Sequence, residues 1–86
     1  MYFITLTKWK SKPTKDIVDN ATKEFAALEK QGIKLQVYWT LGRYDAVSVL
    51  EAPTEQDAMR ILLPFVGLID TETLTAVPWD EAIKLL

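Results

Sequence analysis

Hydrophobic periodicity constrains this chain more than any other feature, because it switches between a spacing of two and a spacing of about 3.6 over six successive segments. Residues 2–9, YFITLTKW, alternate Tyr2, Ile4 and Leu6 with Phe3, Thr5, Thr7 and Trp9, and their aromatic and β-branched content predicts a strand. The KSKPT stretch breaks it. From Pro13 or Thr14 onward, Val18, Ala21, Phe25 and Leu28 recur at steps of three and four, which predicts an amphipathic helix ending at Gly32. Ile33 to Leu41 returns to alternation, and Leu41-Gly42-Arg43-Tyr44 reads as a turn in which Gly42 supplies a positive φ. Asp45 to Glu51 alternates again, so these two strands form a hairpin.

Thr54 is placed to cap a second helix, with Asp57 reaching back and Ala58, Ile61, Leu62 and Phe65 forming its buried stripe. Pro64 lacks a backbone donor and predicts a kink or stop near Leu63. A last strand spans Thr71 to Val77, and Asp80 is a candidate cap for a short terminal helix, with Trp79 anchoring that segment. The order β-α-β-β-α-β predicts an α+β, ferredoxin-like fold: a four-stranded antiparallel sheet with two helices on one face. With 86 residues there is room for one domain, residues 1–86.

Composition removes several kinds of chemistry. The chain has no cysteine and no histidine, which excludes disulfides, thiolate nucleophiles, histidine bases and the usual zinc sites. Its carboxylates are scattered, so no metal site and no cofactor are expected. A net charge of −2 gives no general attraction to nucleic acid. The third strand offers Ala46, Ser48 and Leu50 where an RNA-recognition sheet needs aromatic platforms. No apolar run approaches the ~20 residues that span a bilayer, and the chain opens straight into a strand, so a cytoplasmic protein without a membrane partner is expected.

A sheet with both helices on one side leaves its other side open. If Ile4, Leu35, Val37, Val47, Val49 and Leu74 meet the helices, the open face carries Phe3, Thr5, Thr7, Trp9, Tyr38, Tyr44, Ser48 and Thr73 among others. Trp39, in step with Val37 and Leu41, is then core. A surface so aromatic predicts cover by a second copy, giving a homo-oligomer, at least a dimer, with a small-molecule pocket between the sheet faces.

Leu41-Gly42-Arg43-Tyr44-Asp45, followed by Glu51-Ala52-Pro53, resembles the hairpin of the GYD-domain family, with Gly42, Tyr44 and Asp45 as the residues of its name. The opening YFITLTKW and the TETLTA of the fourth strand are similar to that family too, so the resemblance covers nearly the whole chain. It implies the dimeric α/β-barrel arrangement, in which two ferredoxin-like sheets face one another, and it implies no general activity. Pro64 and a fourth strand without arginines depart from the family pattern.

The residues with most chemistry to offer are Tyr44 and Asp45, a phenol beside a carboxylate at a strand start, able to donate a hydrogen bond and accept a proton. The plainer reading is that Asp45 caps backbone N–H groups. Arg43 can pair with a carboxylate of a ligand or neighbour. Tyr38, Arg43, Tyr44, Asp45 and Thr73 are the expected ligand-binding set, with Asp45 and Tyr44 the catalytic candidates. Lys8, Lys10, Lys12 and Lys15 form a basic rim beside the first helix. Three functions fit: a small-molecule-binding oligomer, a cofactor-independent isomerase or oxygenase using Asp45 as base, and a purely structural assembly unit.

Overall fold

A computed structural model describes residues 1–86. Strands β1 (Tyr2–Trp9), β2 (Lys34–Trp39), β3 (Ala46–Glu51) and β4 (Ile69–Ala76) form one antiparallel sheet in the order β2-β3-β1-β4. Helix α1 (Lys15–Lys30) links β1 to β2, and α2 (Glu55–Leu62) links β3 to β4, both on the same side of the sheet. This is the expected α+β arrangement. No helix is long and apolar enough to cross a membrane.

Local chemistry sets the boundaries. The Thr14 hydroxyl accepts from the Ile17 amide at 3.3 Å and starts α1; Gly32, at φ +80°, follows its end. At α2 the Thr54 hydroxyl accepts from the Asp57 amide at 3.2 Å and donates to the Asp57 carboxylate at 2.9 Å, while Arg60 holds the other carboxylate oxygen. Pro64 then acts as anticipated: α2 stops at Leu62 and a single 3-10 turn, Leu63–Phe65, replaces the next helical turn.

The chain beyond β4 differs from expectation. Helix α3 (Trp79–Ala82) has Pro78 at its cap position and no side-chain cap, so Asp80 sits inside the first turn. Trp79 is 78% exposed and anchors nothing. Residues 77–86 form an arm carrying the exposed side chains of Val77, Trp79, Ile83, Leu85 and Leu86.

The pairing register decides which side chains face the helices. Val37 pairs with Ser48, Ser48 with Thr5 and Thr5 with Thr73; in the next row, Trp39 pairs with Ala46, Ala46 with Thr7 and Thr7 with Thr71. The Phe3, Thr5 and Thr7 side therefore lies under the helices, with Thr5 only 3% and Thr7 only 8% exposed. This reverses the expected faces of β1, β3 and β4, while β2 keeps Leu35 and Val37 inward. The open face carries Tyr2, Ile4, Leu6, Tyr38, Val47, Val49 and Leu74. It is edged by the Lys34–Glu51 pair at 4.0 Å and by Asp70 and Glu72. It is an aliphatic surface rather than an aromatic and hydroxyl-rich one.

The helix layer packs unevenly. At one end Phe3, Ile33, Leu50, Ala52, Ala58 and Ile61 form a closed core, with Leu28 and Leu35 against it. Toward the other end α1 stands off the sheet, and none of its residues is buried. The accessible surface of 6606 Å² exceeds the roughly 5,200 Å² usual for a folded monomer of 9.8 kDa. The loosely packed α1 and the exposed arm of residues 77–86 account for the excess.

Candidate functional site

The space between α1 and the sheet is a cavity of about 250 Å³. Its roof is Ile17, Val18, Ala21, Thr22 and Phe25 of α1 with Ile61, Leu62 and Phe65, and its floor is Thr5, Thr7, Leu35, Val37, Ser48 and Leu50. The floor follows directly from the pairing rows: the small Ser48 sits between Val37 and Thr5, and Ala46 between Trp39 and Thr7, so at this end β3 turns only small side chains toward α1. The hydroxyls of Thr5 and Thr73 bond to one another at 2.9 Å, which satisfies both, while Thr7 and Ser48 add two more hydroxyls to a mainly apolar floor. No ionisable side chain is among the twenty that line the cavity.

Two tryptophans close one end. Trp9, at the end of β1, and Trp39, at the end of β2, meet edge to face with ring centroids 4.9 Å apart and planes at 71°. Trp39, expected in the core, is 63% exposed, lying at the end of the edge strand β2.

The Gly-Arg-Tyr-Asp turn braces this end. Gly42 adopts φ +110°, which only glycine takes without strain. The Thr40 hydroxyl donates to the Tyr44 carbonyl at 2.7 Å, and the Thr40 amide donates to the Asp45 carbonyl at 2.9 Å, closing the hairpin. The Asp45 amide donates to the Thr7 carbonyl at 2.8 Å, and the Asp45 carboxylate accepts from the Trp9 amide at 2.9 Å. Asp45 thus ties the hairpin to β1 beside the tryptophan pair, the backbone-capping part foreseen as the plainer one. Arg43 lies over the Tyr44 ring at 5.7 Å and is exposed.

The expected ligand-binding residues are not brought together. Tyr38 is on the open face, its hydroxyl directed to Gln36 at 3.4 Å; Thr73 is on the helix face, bonded to Thr5; Arg43, Tyr44 and Asp45 are at the turn. None of the five lines the cavity. Tyr38 and Thr73 project from opposite sides of the sheet. Of the basic rim, Lys10 donates to the Val66 carbonyl at 3.2 Å and lies 3.8 Å from Asp70, which pins the β1 end to β4.

Sequence reasoning missed Thr5, Thr7, Ser48, Ala21 and the Trp9–Trp39 pair as cavity residues. The signal was in the hairpin: pairing Trp39 with Ala46 across the turn puts Leu35 opposite Leu50 and Val37 opposite Ser48, so these four share a face.

Comparison with known proteins agrees with this geometry. The crystal structure of the Arabidopsis thaliana protein At3g17210 superposes with a TM-score of 0.65 over 90% of this chain and 93% of that one, at 11% identity, a likeness of fold alone. No curated protein matches by sequence. The sequence pattern of the GYD domain matches residues 3–86, nearly the full length, with Gly42, Tyr44 and Asp45 at the brace of the hollow end, and the chain belongs to the GYD-domain family.

Proposed function

We propose that this protein is a self-associating small-molecule-binding domain whose ligand occupies the cavity between α1 and the sheet. The cavity itself is the observation that carries this reading. Protein interiors are close-packed, and an apolar gap of about 250 Å³ between a helix and the sheet it covers departs from that rule. A resident molecule fills the gap and accounts for the apolar face that α1 turns toward it.

Self-association is supported by the aliphatic open face, a second copy burying Ile4, Leu6, Val47, Val49 and Leu74. The enzymatic alternative with Asp45 as base has weaker support, because the carboxylate is engaged by the Trp9 amide and lies outside the cavity lining.

The test is titration with indane, a compact neutral bicyclic hydrocarbon, followed by tryptophan emission, since Trp9 and Trp39 both line the cavity. Saturable change is expected, with thermal stabilisation of roughly 2.7 kcal/mol at a hundredfold excess over Kd. Ala21→Phe, which places a ring in the cavity, is expected to abolish both responses while the variant still melts cooperatively. Absence of saturation in the parent, or unchanged binding in Ala21→Phe, refutes the reading.

A further inference from the structure

We infer that the cavity selects an uncharged, mainly hydrocarbon molecule bearing a single hydroxyl or carbonyl oxygen, and that Thr7 and Ser48 hold that oxygen. The inference rests on the small-molecule reading above and adds the chemical class of the ligand.

Size sets the first limit. A cavity of 150 Å³ accommodates benzene, so about 250 Å³ suits a fused bicyclic skeleton or a branched chain of similar bulk. Charge sets the second. With no lysine, arginine, aspartate or glutamate among the lining residues, a carboxylate or ammonium placed inside would be desolvated without a counter-ion. Lys10, which follows the lining residue Trp9, is committed to Val66 and Asp70.

The floor sets the third limit. Its hydroxyls are those of Thr5, Thr7 and Ser48, and that of Thr5 is engaged by Thr73. Thr22 in the roof donates to the Val18 carbonyl. Ser48 lies directly opposite Thr5, and Thr7 lies opposite Ala46, two residues along β3 from Ser48. Thr7 and Ser48 are therefore diagonal neighbours on one face, their backbones about 7–8 Å apart, a separation that one ligand oxygen set between the two hydroxyls would bridge. Each hydroxyl can donate or accept, so the pair serves an alcohol or a ketone equally. A hydrocarbon lacking the oxygen forgoes these bonds and binds less tightly.

Three probes of one skeleton separate the possibilities: indane, 1-indanol and indane-1-carboxylate, titrated calorimetrically into the full-length protein at neutral pH. 1-Indanol is expected to bind several-fold tighter than indane and at least about tenfold tighter than the carboxylate. In the double variant Thr7→Val, Ser48→Ala the ratio of 1-indanol to indane affinity is expected to fall to about one, and Thr7→Ser in place of Thr7→Val to restore part of it. A cooperative melt of each variant certifies its fold. Carboxylate binding as tight as 1-indanol overturns the neutral class while leaving small-molecule binding intact. An unchanged affinity ratio in the double variant overturns the part given to Thr7 and Ser48. Failure of all three probes to bind refutes the small-molecule reading, and this inference with it.

Discussion

Replacing Asp45 separates a bracing function from a catalytic one. Its carboxylate accepts the Trp9 amide at 2.9 Å, and both residues are half-buried, so Asp45→Ala strands a backbone donor that water reaches only in part. Hydrogen bonds to charged groups contribute about 1.5–3 kcal/mol, and partial exposure places this one at the lower end, about 1.5–2 kcal/mol. In a domain of this size each kcal/mol moves Tm by about 4–8 °C, so a fall of roughly 6–16 °C is expected. Asp45→Asn keeps an acceptor oxygen without the charge and should recover about half of the loss. The assay is thermal unfolding by circular dichroism, run beside indane titration of each variant. Under the bracing account stability follows the order Asp, Asn, Ala, and ligand affinity changes only as far as the Trp9–Trp39 end loosens. An Asn variant as stable as the parent but devoid of ligand binding would refute that account and return Asp45 to the site.

Other outcomes follow from the same geometry. Gly42→Ala meets no neighbouring atom, yet at φ +110° the backbone alone should cost about 1–2 kcal/mol, seen as a Tm lower by roughly 4–16 °C. Val49→Lys, between Gln36 and Ile4 on the open face, should reduce the light-scattering mass from a multiple of 9.8 kDa to 9.8 kDa while leaving the indane response in place; a parent that is itself monomeric removes the self-association proposal. Ending the chain after Ala76 removes an arm whose apolar side chains are exposed, so Tm should change by less than about 3 °C, and a larger fall would show that the arm supports the body.

The elements were readable from the chain because each is announced by local chemistry that tertiary packing does not override. Thr14 and Thr54 cap their helices, Gly42 turns the hairpin and Pro64 ends α2, each through backbone groups within a few residues. The faces were harder, since β1 is apolar on both sides: Ile4 and Leu6 outrank Thr5 and Thr7 on any hydrophobic count, yet the threonines are the buried pair. Thr5 and Thr7 face the helices because they share rows with Ser48 and Ala46 of β3, and the Thr5 hydroxyl is satisfied across strands by Thr73, which is visible only once register is known. β2 was placed correctly because Lys34 and Gln36 alternate with Leu35 and Val37 without ambiguity. A cavity is a property of what is missing between layers, and neither Ala21 nor Ser48 advertises a gap until the helix above and the strand below are set over one another.

The division into a packed end and a hollow end gives the scaffold freedom to diversify. Phe3, Ile33, Ala52 and Ala58, which keep the chain folded, take no part in lining the cavity, whereas Ile17, Val18, Ala21 and Val37 line it and lie outside the buried cluster. On the proposed reading, exchanges among the second set would change which molecule is held while leaving the buried cluster as it is. The hairpin brace through Asp45 lies outside that set as well, so the shape of the hollow and the support of the fold can vary independently.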